Sequence, residues 1–376
     1  MNDINPTIHQ PTRRAIVLIP GIKREEKFAR REALVKNLLT IESYPLERVG
    51  EIEIAGESGQ RLKAKSPRDP NLPHAPDIDV FEAYWADMTP NQVDTTPWQK
   101  LLNGLRLLIY WQAWPFWKAC GNSFYITLGL ITGGLLLVLW YLSLVLLVAD
   151  AISQDPMIRE YADQAPLVGT LLQGFLKLTS LIGNWELWAL TAICLAFVPV
   201  DELVQIARFI KDYFEDKPDR DEVGLRARVK TRVRSTLTNV LKESYDEVFI
   251  VSHSFGTIIA IDILADWHEM NDFNRIVFFT LGSPFAVMRY RWGELNGEIK
   301  KLQQKCQSRP CWFDFYSNSD WLCTAIPEHQ QMYPDKSFHL NFKAPVLQKI
   351  TGATHLYYYR NSTFLSTLAT PLNELL

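Results

Sequence analysis

The sequence contains few cysteines and little net charge. Five cysteines occur in 376 residues, and their spacing includes none of the close pairs that are typical of metal sites. We therefore expect no metal and a reducing compartment for the soluble part of the chain. The formal net charge is −3, which gives no general attraction to nucleic acid, so no nucleic-acid partner is expected.

The N-terminal region has no long hydrophobic run. Polar residues precede Arg13, and the apolar run at residues 15–19 is too short for the core of a signal peptide. No small-residue cleavage site follows this run. We therefore expect that nothing here exports the protein.

Charge is absent from one long stretch in the middle of the chain. Residues 120–149 contain no charged side chain, and this length exceeds the roughly 20 apolar residues that cross a bilayer as a helix. A second apolar region, residues 178–200, includes Glu186, and it could be a second span, a re-entrant segment or an interfacial helix. The sequence thus predicts a transmembrane helical hairpin with spans near 123–149 and 178–200.

The charges around this region predict its orientation. The connecting stretch, residues 150–163, is acidic with a single arginine, whereas lysine and arginine lie in both long flanks. We therefore expect a membrane protein, and the positive-inside rule predicts that both of its long flanks are cytoplasmic. We expect three parts: residues 1–100, a membrane-associated insertion at 101–200, and residues 201–376. The alternative is that the apolar insertion is a lid of a soluble protein.

Strand and helix patterns alternate in both flanks. Residues 13–19 are typical of a buried strand, and a helical spacing of apolar residues follows them. After the insertion, expected strands at 247–251, 275–281 and 311–316 alternate with expected helices at 256–267 and 295–306. This alternation predicts an α/β fold with a mainly parallel sheet and helices on both faces.

One strand-to-helix junction carries a polar motif. The sequence VFIVSHSFGTIIAIDIL places Ser254 after a buried strand and before a helix, with small residues, Ser252 and Gly256, two positions away on either side. This pattern is that of a nucleophile elbow, in which a strained turn exposes the serine hydroxyl above the sheet. The N-terminus of the following helix favours a developing oxyanion.

These features resemble those of the α/β-hydrolase family, and specifically its serine esterases and lipase-like members. The resemblance covers residues 13–90 and 245–360 and leaves out the membrane-associated insertion. It implies that the nucleophile is followed along the chain by an acid and then by a histidine. Two residues depart from the family pattern: Ser252 occupies a position that is usually glycine, and Pro20 replaces a histidine.

The resemblance assigns the remaining catalytic residues. Asp320, in a polar loop after the expected strand 311–316, is similar to the family's acid, and Asp314 within that strand is the rival. His355, after Gly352-Ala353-Thr354 and before an aromatic run expected to be strand-like, is similar to the family's histidine. Two other histidines downstream of Asp320, His329 and His339, are expected to have ordinary surface or capping roles.

The family's oxyanion hole implies two backbone donors. One is the N–H of Phe255, which follows the nucleophile, and the other is the N–H of Ile22 in the loop after the first strand. Gly21 permits close approach of this loop, and Gly256 supports the turn.

Taken together, the resemblance implies a membrane-anchored serine hydrolase that cleaves a carboxylic ester, a lipid or acyl ester and possibly a thioester, through a Ser-His-Asp acyl-enzyme. No cofactor is implied, and the expected partners are the bilayer and the ester substrate. Two alternatives stay open: a serine peptidase, and a non-catalytic membrane scaffold that retains the fold.

Overall fold

Eight strands form a single sheet in the order β2-β3-β4-β1-β5-β6-β7-β8. Their bounds are β1 Arg13–Ile19, β2 Leu46–Ile54, β3 Glu57–Ala64, β4 Asp77–Glu82, β5 Glu247–His253, β6 Ile276–Leu281, β7 Trp312–Tyr316 and β8 Ser337–His339. The pairing is parallel from β4 through β8, and β2 and β3 add an antiparallel hairpin at one edge. The predicted α/β class with a mainly parallel sheet is therefore confirmed.

The structure is a computed structural model, and it describes residues 12–22, 25–65, 76–89, 200–218, 223–307, 311–320, 322–350 and 352–375, with isolated positions between 109 and 177. The helices in these ranges are α1 Ala29–Leu38, α2 Val200–Phe214, α3 Leu225–Leu241, α4 Phe255–Ala265, α5 Phe285–Met288, α6 Leu295–Lys305, α7 Pro327–Met332, α8 Val346–Ile350, α9 Ser362–Ala369 and α10 Leu372–Leu375. Short 3-10 helices include Ala353–Arg360.

Helices cover both faces of the sheet. Alternate strand residues such as Ile16 and Phe279 share one core cluster with Leu34 of α1 and Phe364 of α9. Since neighbouring side chains of a strand point to opposite faces, the intervening residues face the other side, where α3 and α4 contact β1. A central strand buried on both faces reads as a continuous apolar run, and this explains the sequence of β1.

The residue that precedes this apolar run is a buried cation. Arg14 is fully buried, and its Nε donates a hydrogen bond of 2.7 Å to Glu247 Oε2 on the neighbouring strand, in direct register. The guanidinium also lies 3.9 Å from the ring centroid of Phe249 and donates to the carbonyl of Thr370. Burial lowers the pKa of Arg14 to about 10. This pair ties β1 to β5 and to the chain that follows α9.

Contacts divide the chain into two compact units. The first comprises Met1–Asn91, Trp114–Gly129 and Phe209–Leu376 and contains the whole sheet, and the second comprises Gln92–Ala113 and Leu130–Arg208. The predicted boundaries at residues 100 and 200 stay a prediction. Apart from isolated positions and Val200, the expected spans near 123–149 and 178–200 lie outside the described residues. Within the described ranges, no helix has the length and apolar character needed to span a bilayer.

The cysteines differ from expectation at one pair. Cys306, after α6, and Cys311, before β7, are joined by a disulfide with a Cα–Cα distance of 5.6 Å. Cys323 is a buried free thiol. The spacing of five residues gave no signal for this pair in the sequence, and the expected reducing compartment stays a prediction.

Candidate active site

The carboxyl ends of β1 and β5 lie side by side where the connections of the sheet diverge. From β1 the chain continues to the β2-β3-β4 side of the sheet, and from β5 it continues to β6 on the opposite side. In open α/β sheets, ligands bind in the crevice at such a point. Two segments border it here: residues 20–22 after β1 and the turn at Ser254 after β5.

Ser254 has a backbone conformation that is rare for a residue with a side chain. Its φ of 55° and ψ of −131° lie outside the favoured regions, which costs about 1–3 kcal/mol. The surroundings hold this turn: the N–H of Ser254 donates to the carbonyl of Leu281 at the end of β6, and Thr257 Oγ1 donates to the carbonyl of Ser254. The strained turn between β5 and α4 that the sequence pattern predicts is therefore present.

Two glycines allow the loop after β1 to lie against this turn. A Cβ on Gly256 would lie 2.5 Å from the carbonyl oxygens of both Ile19 and Pro20, so a side chain would collide with backbone. A Cβ on Gly21 would lie 2.8 Å from Ser254 Cβ. The loop is also fixed from outside, since buried Trp85 donates from Nε1 to the carbonyl of Pro20 at 3.0 Å. The β1 loop therefore borders the side chain of Ser254 directly.

Local contacts explain how a serine is accommodated at position 252, where the resemblance led us to expect glycine. This residue is fully buried, and its hydroxyl donates a hydrogen bond of 2.8 Å to the carbonyl of Phe279 in β6. A buried hydroxyl with a partner carries little penalty. Serine therefore fits where glycine is usual.

Asp320 and His355 are brought together. His355 Nδ1 lies 2.6 Å from Asp320 Oδ2, and the aspartate side chain is fully buried. A second donor reaches the same oxygen, because the hydroxyl of Tyr358 lies 3.1 Å from it. The N–H of Leu322 donates to the other oxygen. Asp320 thus fixes the orientation of His355, and Tyr358 positions Asp320.

The rival acid and the other histidines have different partners. Asp314 accepts hydrogen bonds from Thr280 Oγ1 at 2.7 Å and from the N–H of Ile326, and burial raises its pKa to about 7. His329 is buried between Ser337 Oγ and the carbonyl of Trp312, and burial lowers its pKa to about 4. Only Asp320 among these two acids contacts His355.

His253 supports His355 from the nucleophile side. The two rings lie with centroids 4.6 Å apart, and His253 Nε2 donates to the carbonyl of His355 at 2.7 Å. Burial, and then the proximity of His355, lower the pKa of His253 well below its ordinary value, so this ring is neutral. These contacts give His253 a structural role. They also place His355 beside the residue that precedes Ser254.

The last contact of a triad is not formed in this structure. His355 Nε2 is buried and has no hydrogen-bond partner among the described residues, so it does not bind the hydroxyl of Ser254. The N–H of Phe255 begins α4 and has no acceptor within the helix. In the described part of the chain the N–H of Ile22 also has no acceptor. Among the described contacts, one ring nitrogen and two backbone N–H groups of the predicted site thus have no partner.

Three residues of the site were missed from sequence. The aromatic run after His355 was expected to be strand-like, which is wrong: it forms the 3-10 helix Ala353–Arg360, preceded by Gly352 at a φ of 76°. In a 3-10 helix residues three apart lie on the same side, so Tyr358 follows His355 to Asp320. Gly282 and Cys323 also contact Tyr358: a Cβ on Gly282 would lie 2.7 Å from its ring, and Cys323 Sγ lies 3.2 Å from its hydroxyl.

One acidic group in the described residues has the spacing of a metal site, but its charges are compensated. Carboxylate oxygens of Asp262, Asp266 and Glu298 lie within 4.8 Å of one another. Arg226 and Lys230 bind Asp262 at 2.7 and 2.8 Å, and Lys230 also binds Asp266. These residues therefore fit a structural ion network rather than a cation site.

The close approach at Gly256 predicts an effect of a single methyl group. We expect Gly256→Ala to lower the free energy of unfolding by roughly 2 kcal/mol or more, because the methyl group would overlap two carbonyl oxygens. Gly297→Ala is the matched control in α6, where nothing lies within 4 Å, and it should stabilise by about 0.5–1 kcal/mol. Urea unfolding of the full chain measures both. Equal stabilisation by the two changes would contradict the close approach.

Asp314 predicts a dependence of stability on pH. Its pKa rises from 3.8 in the unfolded chain to about 7 in the folded one, so the folded state holds the proton more tightly. The contribution of this group to stability is therefore present at low pH and is lost as the pH rises from about 4 to about 7. Relative to wild type, Asp314→Asn should gain roughly 3–4 kcal/mol between pH 4 and pH 8. Asp335→Asn controls for loss of an exposed carboxylate. Parallel pH curves for wild type and Asp314→Asn would contradict the assignment.

Comparisons with known proteins assign no family to this chain. No protein-family model, no curated protein and no solved structure matches it. The function is therefore inferred from the geometry of the site.

Proposed function

We propose that the chain is a serine hydrolase that cleaves carboxylic esters. The observation that carries the proposal is the buried Asp320–His355 pair at 2.6 Å, at the same edge of the sheet as the strained turn of Ser254. A buried carboxylate that fixes a histidine near a half-buried serine is the arrangement of a general base and its nucleophile. The α/β-hydrolase relationship is part of this proposal.

In the first half of the proposed reaction, the hydroxyl oxygen of Ser254 attacks the carbonyl carbon of the ester. His355 Nε2 takes the hydroxyl proton, and the carbonyl oxygen becomes an oxyanion that the N–H groups of Phe255 and Ile22 stabilise. The intermediate then loses the alcohol, whose oxygen receives the proton from His355. The acyl group stays on Ser254.

In the second half, a water molecule attacks the acyl carbon while His355 Nε2 takes a proton from it. The bond to Ser254 Oγ breaks, the serine recovers its proton from His355, and the carboxylic acid leaves. One ester and one water thus give one acid and one alcohol. Throughout, Asp320 holds the imidazole of His355 in the orientation that these proton transfers need, and the Tyr358 hydroxyl holds Asp320 in place.

The proposal includes membrane anchoring through the insertion. Its support is the uncharged stretch at residues 120–149, and the charge bias of the flanks supports a cytoplasmic catalytic unit. The substrate would then be a lipid or acyl ester. The Cys306–Cys311 disulfide opposes the cytoplasmic placement, because disulfides persist mainly in oxidising compartments.

Covalent labelling tests the hydrolase proposal. We expect a fluorophosphonate probe to label the full chain, and Ser254→Ala to abolish the labelling. Asp320→Asn should lower the rate by about a thousandfold or more, because the histidine loses its fixed tautomer. Ser366→Ala on α9 is a control, since the hydroxyl of this partly exposed serine has one described hydrogen bond, to the carbonyl of Thr363.

The outcomes separate the alternatives. Labelling that persists in Ser254→Ala would exclude Ser254 as the nucleophile. A folded wild-type chain without labelling would favour the non-catalytic scaffold. Turnover of peptide amides alongside esters would favour a peptidase.

Fractionation tests the membrane part. We expect the full chain to stay in the membrane pellet after a carbonate wash, and protease added to inverted vesicles to digest the catalytic unit. Release into the supernatant would favour the soluble lid. Protection in inverted vesicles would place the catalytic unit on the opposite side, in agreement with the disulfide.

A further inference from the structure

A cavity of about 290 Å³ lies between the segments that follow β6 and β7. Its lining includes Phe285 and Arg289 from the first segment, and Tyr316, Asn318, Thr324 and Gln330 from the second. Its volume is at the lower limit of ligand pockets, which are typically about 300–1,000 Å³. The cavity therefore suits a small group rather than a long acyl chain.

Arg289 is the single lining residue with a formal charge. Its guanidinium donates to the hydroxyl of Tyr290 at 2.8 Å and lies 4.9 Å from that ring and 5.8 Å from the ring of Phe285. Its described side-chain contacts are this hydroxyl and these two rings, and none of them is a carboxylate. Two aromatic rings thus hold an arginine whose remaining N–H donors are available to the cavity.

The cavity shares its walls with the proposed triad. Asn318 and Thr324 lie on either side of Asp320 along the chain, and the N–H of Thr324 donates to the carbonyl of Ser283 at 3.3 Å. Ser283 Oγ in turn donates to Thr257 Oγ1 at 2.9 Å, in the first turn of the helix that follows Ser254. The loop that carries the acid therefore also forms the cavity, at the edge of the sheet where Ser254 lies.

We infer that this cavity binds an anionic group of the substrate, a carboxylate or a phosphate ester, through Arg289. The planar guanidinium donates two parallel hydrogen bonds to either group, and a charge without an internal partner favours an anion. Neutral side chains such as Asn318 and Gln330 can donate further hydrogen bonds. The inference rests on the proposed hydrolase function, and it narrows the substrate to esters that carry a negative charge.

A matched pair of esters tests the inference. The full chain is assayed with 4-nitrophenyl butyrate, which is neutral, and with mono-4-nitrophenyl glutarate, which adds a carboxylate. We expect Arg289→Gln to raise KM for the charged ester by roughly tenfold or more, with kcat and the neutral ester little changed. For the charged ester, the KM of Arg289→Lys should lie between the values of wild type and of Arg289→Gln. Lys343→Gln, which removes an exposed lysine elsewhere, controls for net charge. Equal KM changes for both esters would overturn the inference.

A binding measurement separates this inference from the proposed function. Inorganic phosphate should raise the Tm of wild type and not of Arg289→Gln, whether or not the protein hydrolyses esters. Absence of fluorophosphonate labelling in wild type would refute the hydrolase function. An equal rise in Tm with phosphate in wild type and in Arg289→Gln would refute the anion site.

Vesicles identify the source of the anion. If Arg289→Gln weakens binding to phosphatidylglycerol vesicles but not to phosphatidylcholine vesicles, the group is a lipid headgroup. An effect confined to the soluble ester and to phosphate indicates a soluble anion. Both results support the site, and no effect of Arg289→Gln in any arm overturns it.

Discussion

The site depends on the contact between the loop after β1 and the turn after β5. Parallel pairing of these strands brings their carboxyl ends together, and the absence of a side chain at Gly256 lets α4 begin directly against the carbonyl groups of Ile19 and Pro20. Any larger residue would push the helix outward. The turn at Ser254, with its positive φ, lies directly before this contact.

The helix that follows Ser254 is held by charge as well as by packing. Asp262, fully buried in α4, accepts two hydrogen bonds of 2.7 Å from Arg226 and further bonds from Lys230 and from the hydroxyl of Tyr213. A buried carboxylate is tolerated only with such complete pairing. Both cations come from α3, so these two basic side chains compensate the charge of Asp262 instead of facing solvent fully. Removing one of these cations would leave Asp262 with less compensation for its buried charge and would loosen the helix that begins at Phe255.

Local sequence patterns predict the turn at Ser254, whereas the other site residues depend on contacts between positions distant in sequence. Ser254 and Gly256 could be predicted because a turn of this kind requires small residues at fixed spacing. Asp320 and His355 were suggested by their order along the chain, but the choice between Asp314 and Asp320 needed the structure, which shows which carboxylate reaches the histidine. The role of Tyr358 had no signal, because an aromatic run fits a strand and a 3-10 helix equally well.

Two features of the site lower the free energy of unfolding: His355 Nε2, which has no described partner, and the turn at Ser254. A buried polar atom without a partner costs about 1–3 kcal/mol, and the strained turn of Ser254 costs a similar amount. The surrounding structure fixes both groups through independent contacts, namely Asp320 and His253 for the imidazole, and Gly256 and Leu281 for the turn. None of these contacts joins the two groups to each other directly. The positions of the imidazole and of the turn therefore do not depend on a hydrogen bond between them, because each is held by its own neighbours in and beside the sheet.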